Sequence, residues 1–329
     1  MVQREAWQLG TGKCWRGLPQ GCCCGSLPTH DELSVLTPLA AAGAPRRTLH
    51  GILCMCTAGL LFPVMSGLAK VLGEDYSSLQ VSWARAFVHL LFLSALFLPH
   101  SGLSVMRSRR PTLQLARAAM LTTSNLASFY ALTFMPLAEQ AALQLAAPLI
   151  VALLAWPVLG ERTTAAKISA VVLGFVGVLV VLRPGSGVFQ WPALWVLVSA
   201  TAYGAYQILT RLVAPHDPPA TSALWCPLVG AFGLMLALPF VWRTPVSLVD
   251  LLMFLGCGAF GAIGHYFVAR AMVYAPANII SPFQYFQLLG SVAIGWIFFS
   301  HLPDAATWIG ATIIVASGLY LGWAQRYAR

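Results

Sequence analysis

The feature that most limits what this chain can fold into is a series of ten predominantly apolar runs, each close to 20 residues. They lie at about 49–70, 78–99, 113–135, 138–159 and 164–183, and again at about 191–212, 222–242, 250–272, 277–299 and 305–325. Wound as a helix, a run of that length matches the ~30 Å hydrocarbon core of a bilayer. In lipid a backbone must satisfy its own hydrogen bonds, which leaves helices or a closed barrel. Leu, Val, Ala and Ile run on continuously here, without the alternate-residue pattern of a barrel strand. The chain therefore reads as an all-α membrane protein with ten transmembrane helices. Composition agrees: 58% of the 329 residues are hydrophobic and 9% charged, with a mean hydropathy of +0.76. A soluble domain carries about a quarter charged residues.

Lys and Arg set the orientation, because cytoplasmic loops hold the excess. With the N-terminus inside, the inner ends hold Arg46, Arg47, Arg107, Arg109, Arg110, Arg162, Lys167, Arg211, Arg270, Arg326 and Arg329. The outer ends hold only Lys70, Arg183 and Arg243. An even number of spans then brings both termini to the cytoplasmic side. The formal charge of +9 is accounted for by this bias, and nothing calls for nucleic acid. The first 47 residues differ in character and read as a disordered tail with no apolar core of signal-peptide length. Cys14 and Cys22–Cys24 lack the paired spacing of a metal site, and no metal or cofactor is expected. Cys54, Cys56, Cys226 and Cys257 read as small packing residues inside helices.

Sliding the chain against itself by 140 or 141 residues brings its two parts into register. At 140, Pro136 meets Pro276, Gln144 meets Gln284 and Trp156 meets Trp296. At 141, Lys70 meets Arg211, Phe62 meets Tyr203 and Gly177 meets Gly318. Each part holds five spans, an odd number, so the two repeats sit in the membrane with opposite orientation. Inverted repeats of this kind place a site near the midplane at their interface.

The segment Phe129–Gly185 carries a YAL…MP turn into the fourth helix, Pro148 within it, an LGER ending and a GxxG-containing fifth helix. In these features it resembles the EamA-type repeat of the drug/metabolite transporter superfamily. A second, degenerate copy runs from Tyr266 to about Trp323, with His301 in place of Glu161. The resemblance covers 48–325, as a first repeat over 48–185 and a second over 190–325. It implies a ten-helix bacterial inner-membrane carrier working by alternating access on amino acids, vitamins, nucleotide-like cofactors or opine-type metallophores. Export of an amino-acid-derived or opine-type metabolite is the commoner role among such proteins. Uptake of a vitamin such as riboflavin is the alternative.

Polar groups inside spans are costly and are candidates for function. Arg85 lies seven residues into the second helix, roughly 10 Å below the outer surface. It either snorkels to that surface or faces a cavity, where its planar fork can hold a carboxylate or phosphate. The resembled family usually carries an Arg near this point. His89 is one turn deeper on the same face. It and His265 in the eighth helix read either as packed histidines or as proton-exchanging groups. Asn125 lies mid-span in the third helix, where interhelical hydrogen bonding is its ordinary role. Gln144 and Gln284 form a pseudo-symmetric pair, each beside a proline, Pro148 and Pro282, that frees backbone carbonyls. Tyr285 and Gln287 add polar groups near Gln284, and Tyr203, Tyr206 and Gln207 do so on the sixth helix. Glu139, Glu161, Asp217, Asp250 and Asp304 all fall at helix ends. Cations without a central acid favour a zwitterionic or anionic solute over a lipophilic cation. With no nucleophile–base pair or phosphate loop in the sequence, an enzyme is not expected. A scaffold or sensor would not need paired polar positions at depth.

Overall fold

A computed structural model describes residues 30–160, 164–183, 191–274 and 281–327. All regular structure among these residues is helical. The chain divides into two units, 1–45 and 46–329, and the architecture that follows belongs to the second. Of the tail expected over 1–47, residues 1–29 lie outside the described residues, and the backbone is helical from His30. The cysteine cluster and Glu161 also lie outside them.

The first span, Arg47–Asp75, belongs to helix α1 (His30–Asp75). Helices α2 (Ser78–Ser101) and α3 (Pro111–Leu132) follow. The fourth span is split into α4 (Leu137–Gln144) and α5 (Ala147–Leu159), and α6 (Ala165–Leu182) closes the first repeat. The split falls where Pro148 cannot donate to the carbonyl one turn before it. The second repeat begins with α7 (Pro192–Val213). Its next span starts as the short α8 (Pro219–Trp225) and passes into a π turn (Val229–Gly233) and 3-10 turns (Leu234–Leu236, Leu238–Phe240). Then come α9 (Leu248–Tyr274), a 3-10 turn (Ser281–Tyr285) leading into α10 (Phe286–Phe299), and α11 (Ala305–Tyr327). The break between α4 and α5 thus has a counterpart at Tyr285–Phe286.

Among the described residues, eight helices are long and apolar enough to cross a membrane, and Phe283–Phe299 is a shorter apolar helix. The tenth, α3, has the length but carries Gln114, Arg117, Ser124 and Asn125, whose polarity is spent inside the protein. Packing has the pseudo-symmetry of the repeats. Helix α3 lies along α7. Their counterparts, α9 and the first span, also pack, with the Phe62 ring pressed on Gly264. Helices α6 and α11, equivalent to each other, pack together, as do α4 and α10. Small residues permit the closest approaches: a Cβ at Gly177 would lie 2.8 Å from the Gly310 carbonyl, which brings α6 and α11 into near backbone contact. The result is a ten-helix membrane fold of two inverted five-helix repeats.

Candidate functional site

Between the repeats lies a cavity of about 1620 Å³. The first span, α3, α4, α5, α7, α9, α10 and α11 contribute walls, with Arg85 from α2 and Lys167 from α6. It reaches Thr164, Lys167, Arg211 and Trp323 at one end of the bundle. At the other end it stops below Lys70, whose Nζ donates to the Leu132 and Met135 carbonyls, both at 2.9 Å. The lysine caps the α3–α4 turn at the bundle end away from Lys167 and Arg211.

Of the eleven polar residues singled out in the sequence, nine line this cavity, Arg85, Asn125, Gln144, Tyr203, Gln207, His265, Gln284, Tyr285 and Gln287, while Tyr206 is outside its lining. His89 is outside it too. It lines a small adjoining pocket with Arg85, Asn125, Cys226 and Gly230. One turn deeper on α2, its ring stacks on that of His265, centroids 5.4 Å apart and 16° from parallel.

Arg85 is 3% exposed and does not snorkel. Its Nη2 donates to His265 Nε2 at 3.4 Å, and its Nε approaches the Met65 sulfur at 3.3 Å. The approach is allowed by Gly261 on α9, where an added Cβ would lie 3.4 Å from Arg85 Nε. The Phe62 ring meets His265 edge-on at 5.1 Å. No Asp or Glu touches the guanidinium or lines the cavity among the described residues. A buried cation with spare donors and no acid partner is a site for an oxygen acceptor brought by a solute. Arg85 also lies beside Cys226, its own counterpart in the second repeat.

In the remaining lining, amides and aromatic rings are set among aliphatic side chains such as Met55, Leu121, Leu145, Val151 and Val268. Gln144 lines the cavity, and its Oε1 is itself buried without a hydrogen-bond partner. Gln140 Nε2 donates to Ser128 Oγ at 2.7 Å, and the Tyr203 and Tyr206 rings stack at 5.6 Å. Among the described residues no three His, Cys, Asp or Glu side chains are grouped to hold a metal ion.

Two groups were not legible as candidates. Lys167 and Arg211 line the cavity although their sequence role is topological. Arg117 is 2% exposed and organises a network at the inner end of α3. It donates to Gln114 Oε1 (3.1 Å) and to the Ser222 carbonyl, and lies 5.4 Å from the Tyr206 ring centroid. Gln114 donates in turn to Asp217 Oδ2 (2.8 Å), which also accepts from Ser108, while the Arg109 N–H donates to Oδ1 (2.8 Å). Burial opposes ionisation of Asp217, but these hydrogen bonds outweigh it and hold the carboxyl below its ordinary value. The signal available was the Gln114–Arg117 spacing, one turn apart within an apolar run.

A two-repeat bundle with a large cavity of mixed polarity between the halves is the form of a membrane carrier. The sequence profile of the EamA-like transporter family matches residues 49–183 and 190–322, and the chain belongs to that family. It is similar to a riboflavin transporter of Rhizobium johnstonii, with 30% identity over 84% of this chain and 92% of that protein. It is similar also to an S-adenosylmethionine uptake transporter of Rickettsia prowazekii (24%, covering 84% and 94%). The pseudopaline exporter CntI of Pseudomonas aeruginosa is 26% identical, covering 82% and 95%. A solved crystal structure aligns at TM-score 0.60 and 18% identity over 85% of this chain and 98% of that one, a likeness of fold.

Proposed function

We propose that the chain carries a planar heteroaromatic solute of the riboflavin type into a bacterial cell, across the inner membrane, by alternating access. The observation that carries this reading is the cavity lining: one central guanidinium, six amides (Asn125, Gln140, Gln144, Gln207, Gln284, Gln287) and the rings of Phe62, Phe129, Tyr203 and Tyr285. An isoalloxazine offers a stacking face, two carbonyl acceptors and an imide N–H, and a ribityl chain offers hydroxyls. Such a solute can satisfy Arg85 without bringing a net charge. Similarity to the riboflavin transporter of Rhizobium johnstonii supports the same choice. Both termini and the Lys167–Arg211 end of the cavity are assigned to the cytoplasm from the Lys and Arg bias, which makes the conformation inward-facing. The two repeats, 48–185 and 190–325, are the bodies that move.

A second reading is export of an amino-acid-derived or opine-type anion, favoured by the cationic mouth at Lys167 and Arg211 together with Arg85. Growth separates the two. Expressed in a bacterial strain unable to make or import riboflavin, the chain is expected to restore growth on micromolar riboflavin. Failure to do so, with the protein present in the membrane, contradicts the flavin reading.

A further inference from the structure

The cavity contains no carboxylate among the described residues, yet it holds a titratable cluster. His265 is the member that faces the cavity, and what surrounds it dictates its protonation. A guanidinium has five N–H donors and no acceptor. As a hydrogen bond, the 3.4 Å contact between Arg85 Nη2 and His265 Nε2 has the guanidinium donating to a lone pair on Nε2. His265 is then a neutral imidazole with its proton on Nδ1. Its other close neighbours do not compete for Nε2: the Phe62 ring offers an edge, and His89 stacks face to face. The titratable and charged groups around the pair are Arg85 and His89 from α2, Tyr203 and Tyr206 from α7, Cys226 after α8 and Cys257 on α9 itself. None of them is an acid that would stabilise an imidazolium in the resting state.

We propose that His265 is the proton-binding site of the carrier and that Arg85 controls it, releasing Nε2 when a solute oxygen takes the guanidinium. The proposal rests on the carrier reading above. With the cavity empty, Nη2 donates to that lone pair, and the adjacent guanidinium charge disfavours a proton there. A carbonyl or carboxylate oxygen of the solute is a better acceptor for Arg85 than an imidazole nitrogen at 3.4 Å. As Nη2 turns to it, a proton from cavity water adds to the freed Nε2 lone pair and forms an N–H bond. After the repeats rearrange and the solute leaves, Arg85 returns and Nε2–H gives its proton back to water. Solute and proton load and unload together, and histidine takes the place that a buried acid holds in other coupled carriers. His89 lies off the main cavity, so water-borne protons meet His265 first.

Two measurements test this independently of one another. The first needs no solute: in protein with 15N-labelled histidine in nanodiscs, the His265 signal, assigned by its loss in His265→Gln, is expected to show protonated Nδ1 and bare Nε2 at pH 6. In Arg85→Gln at the same pH it is expected to gain the Nε2 proton. A wild-type Nε2–H at pH 6, or a His265 signal that ignores Arg85→Gln, overturns the proposal. The second uses riboflavin in proteoliposomes. One pH unit, acid outside, is expected to raise wild-type accumulation by up to about tenfold for one proton per solute. In His265→Gln, whose amide oxygen still accepts from Arg85, the ratio with and without the gradient is expected to fall to one, at whatever rate exchange persists. Wild-type vesicles that exchange riboflavin but ignore the gradient overturn the proton site. Vesicles that do not exchange riboflavin overturn the flavin reading, and the nitrogen signals then decide the proton site alone.

Discussion

The second and seventh spans occupy equivalent places in the two repeats and have become different objects. The second is one regular helix, α2, carrying Arg85 and His89. The seventh is α-helical only through Trp225, and past Pro227 it loosens into π and 3-10 turns. The residues equivalent to Arg85 and His89 are Cys226 and Gly230, and all four line one small pocket. Where one repeat supplies charge, the other supplies room. The broken span is held to the regular one by polar ties: Trp83 Nε1 donates to the Ala231 carbonyl at 3.0 Å, and Gln80 exchanges two hydrogen bonds with the Arg243 backbone. The same contrast recurs at Lys70 and Arg211, one capping the α3–α4 turn, the other lining the cavity. Inverted repeats supply the alternating bodies, and the departures from their symmetry supply selectivity.

The contrast breaks most severely at Gly230. A Cβ there would lie 2.6 Å from the Ala86 Cβ, so Gly230→Val must push the seventh span off α2. Overpacking of this kind costs about 2 kcal/mol, and riboflavin uptake by cells is expected to be nearly abolished. Normal uptake would show that the two spans do not need their close contact. A comparable stability loss is expected from Asp217→Ala, which strands the donors of Ser108, Gln114 and the Arg109 N–H. The cost is about 3 kcal/mol, read as a lower denaturant midpoint in micelles. An unchanged midpoint would mean that the network does not bind the loop before α3 to the loop before α8.

A seal at Lys70 is tested by opening it. Lys70→Met removes two hydrogen bonds, worth about 1 kcal/mol each. In a background without native cysteines, labelling of Ser66→Cys by an impermeant reagent added from the Lys70 side is expected to rise roughly tenfold or more. No change would place the seal elsewhere. The smallest effect concerns Asp304, which pairs with Arg183 and caps Thr307 at 2.9 Å. Burial alone would raise its carboxyl, but the bonds from Arg183 and Thr307 hold it at about 2. The ordinary carboxylate value is about 4, so folding favours the ionised form. The tie contributes fully above about pH 4 and fades as pH falls toward about 2. The gap in melting temperature between wild type and Asp304→Asn is expected at pH 6 and should close below pH 4. A gap independent of pH would contradict the tie.

Much of the architecture could be read from residue order, because span length and repeat register are one-dimensional properties. The shift of about 140 residues located Gln144 and Gln284, and both line the cavity. Depth along a helix was legible too, which is why Arg85 and Asn125 stood out. What residue order does not carry is which helices are neighbours. Arg85 and His265 are 180 positions apart, and only the packing of α2 on α9 across Gly261 joins them. Arg117 escaped notice for a related reason: near a helix end it looks like an interfacial arginine until α7 and α8 bury it. The loosening after Pro227 was hidden because its residues remain as apolar as a helix requires.

The measurement closest to the central claim is equilibrium binding of riboflavin to the purified protein, followed by quenching of flavin fluorescence against the cavity's tyrosines. Saturable quenching is expected, with Kd raised about 100-fold in Arg85→Ala, the loss of a charged hydrogen-bond donor worth about 3 kcal/mol. Cys226→Ala, its counterpart in the second repeat, is expected to bind within about threefold of wild type, a difference under 1 kcal/mol. Equal affinity in wild type and Arg85→Ala, or no saturable quenching at all, would contradict the account.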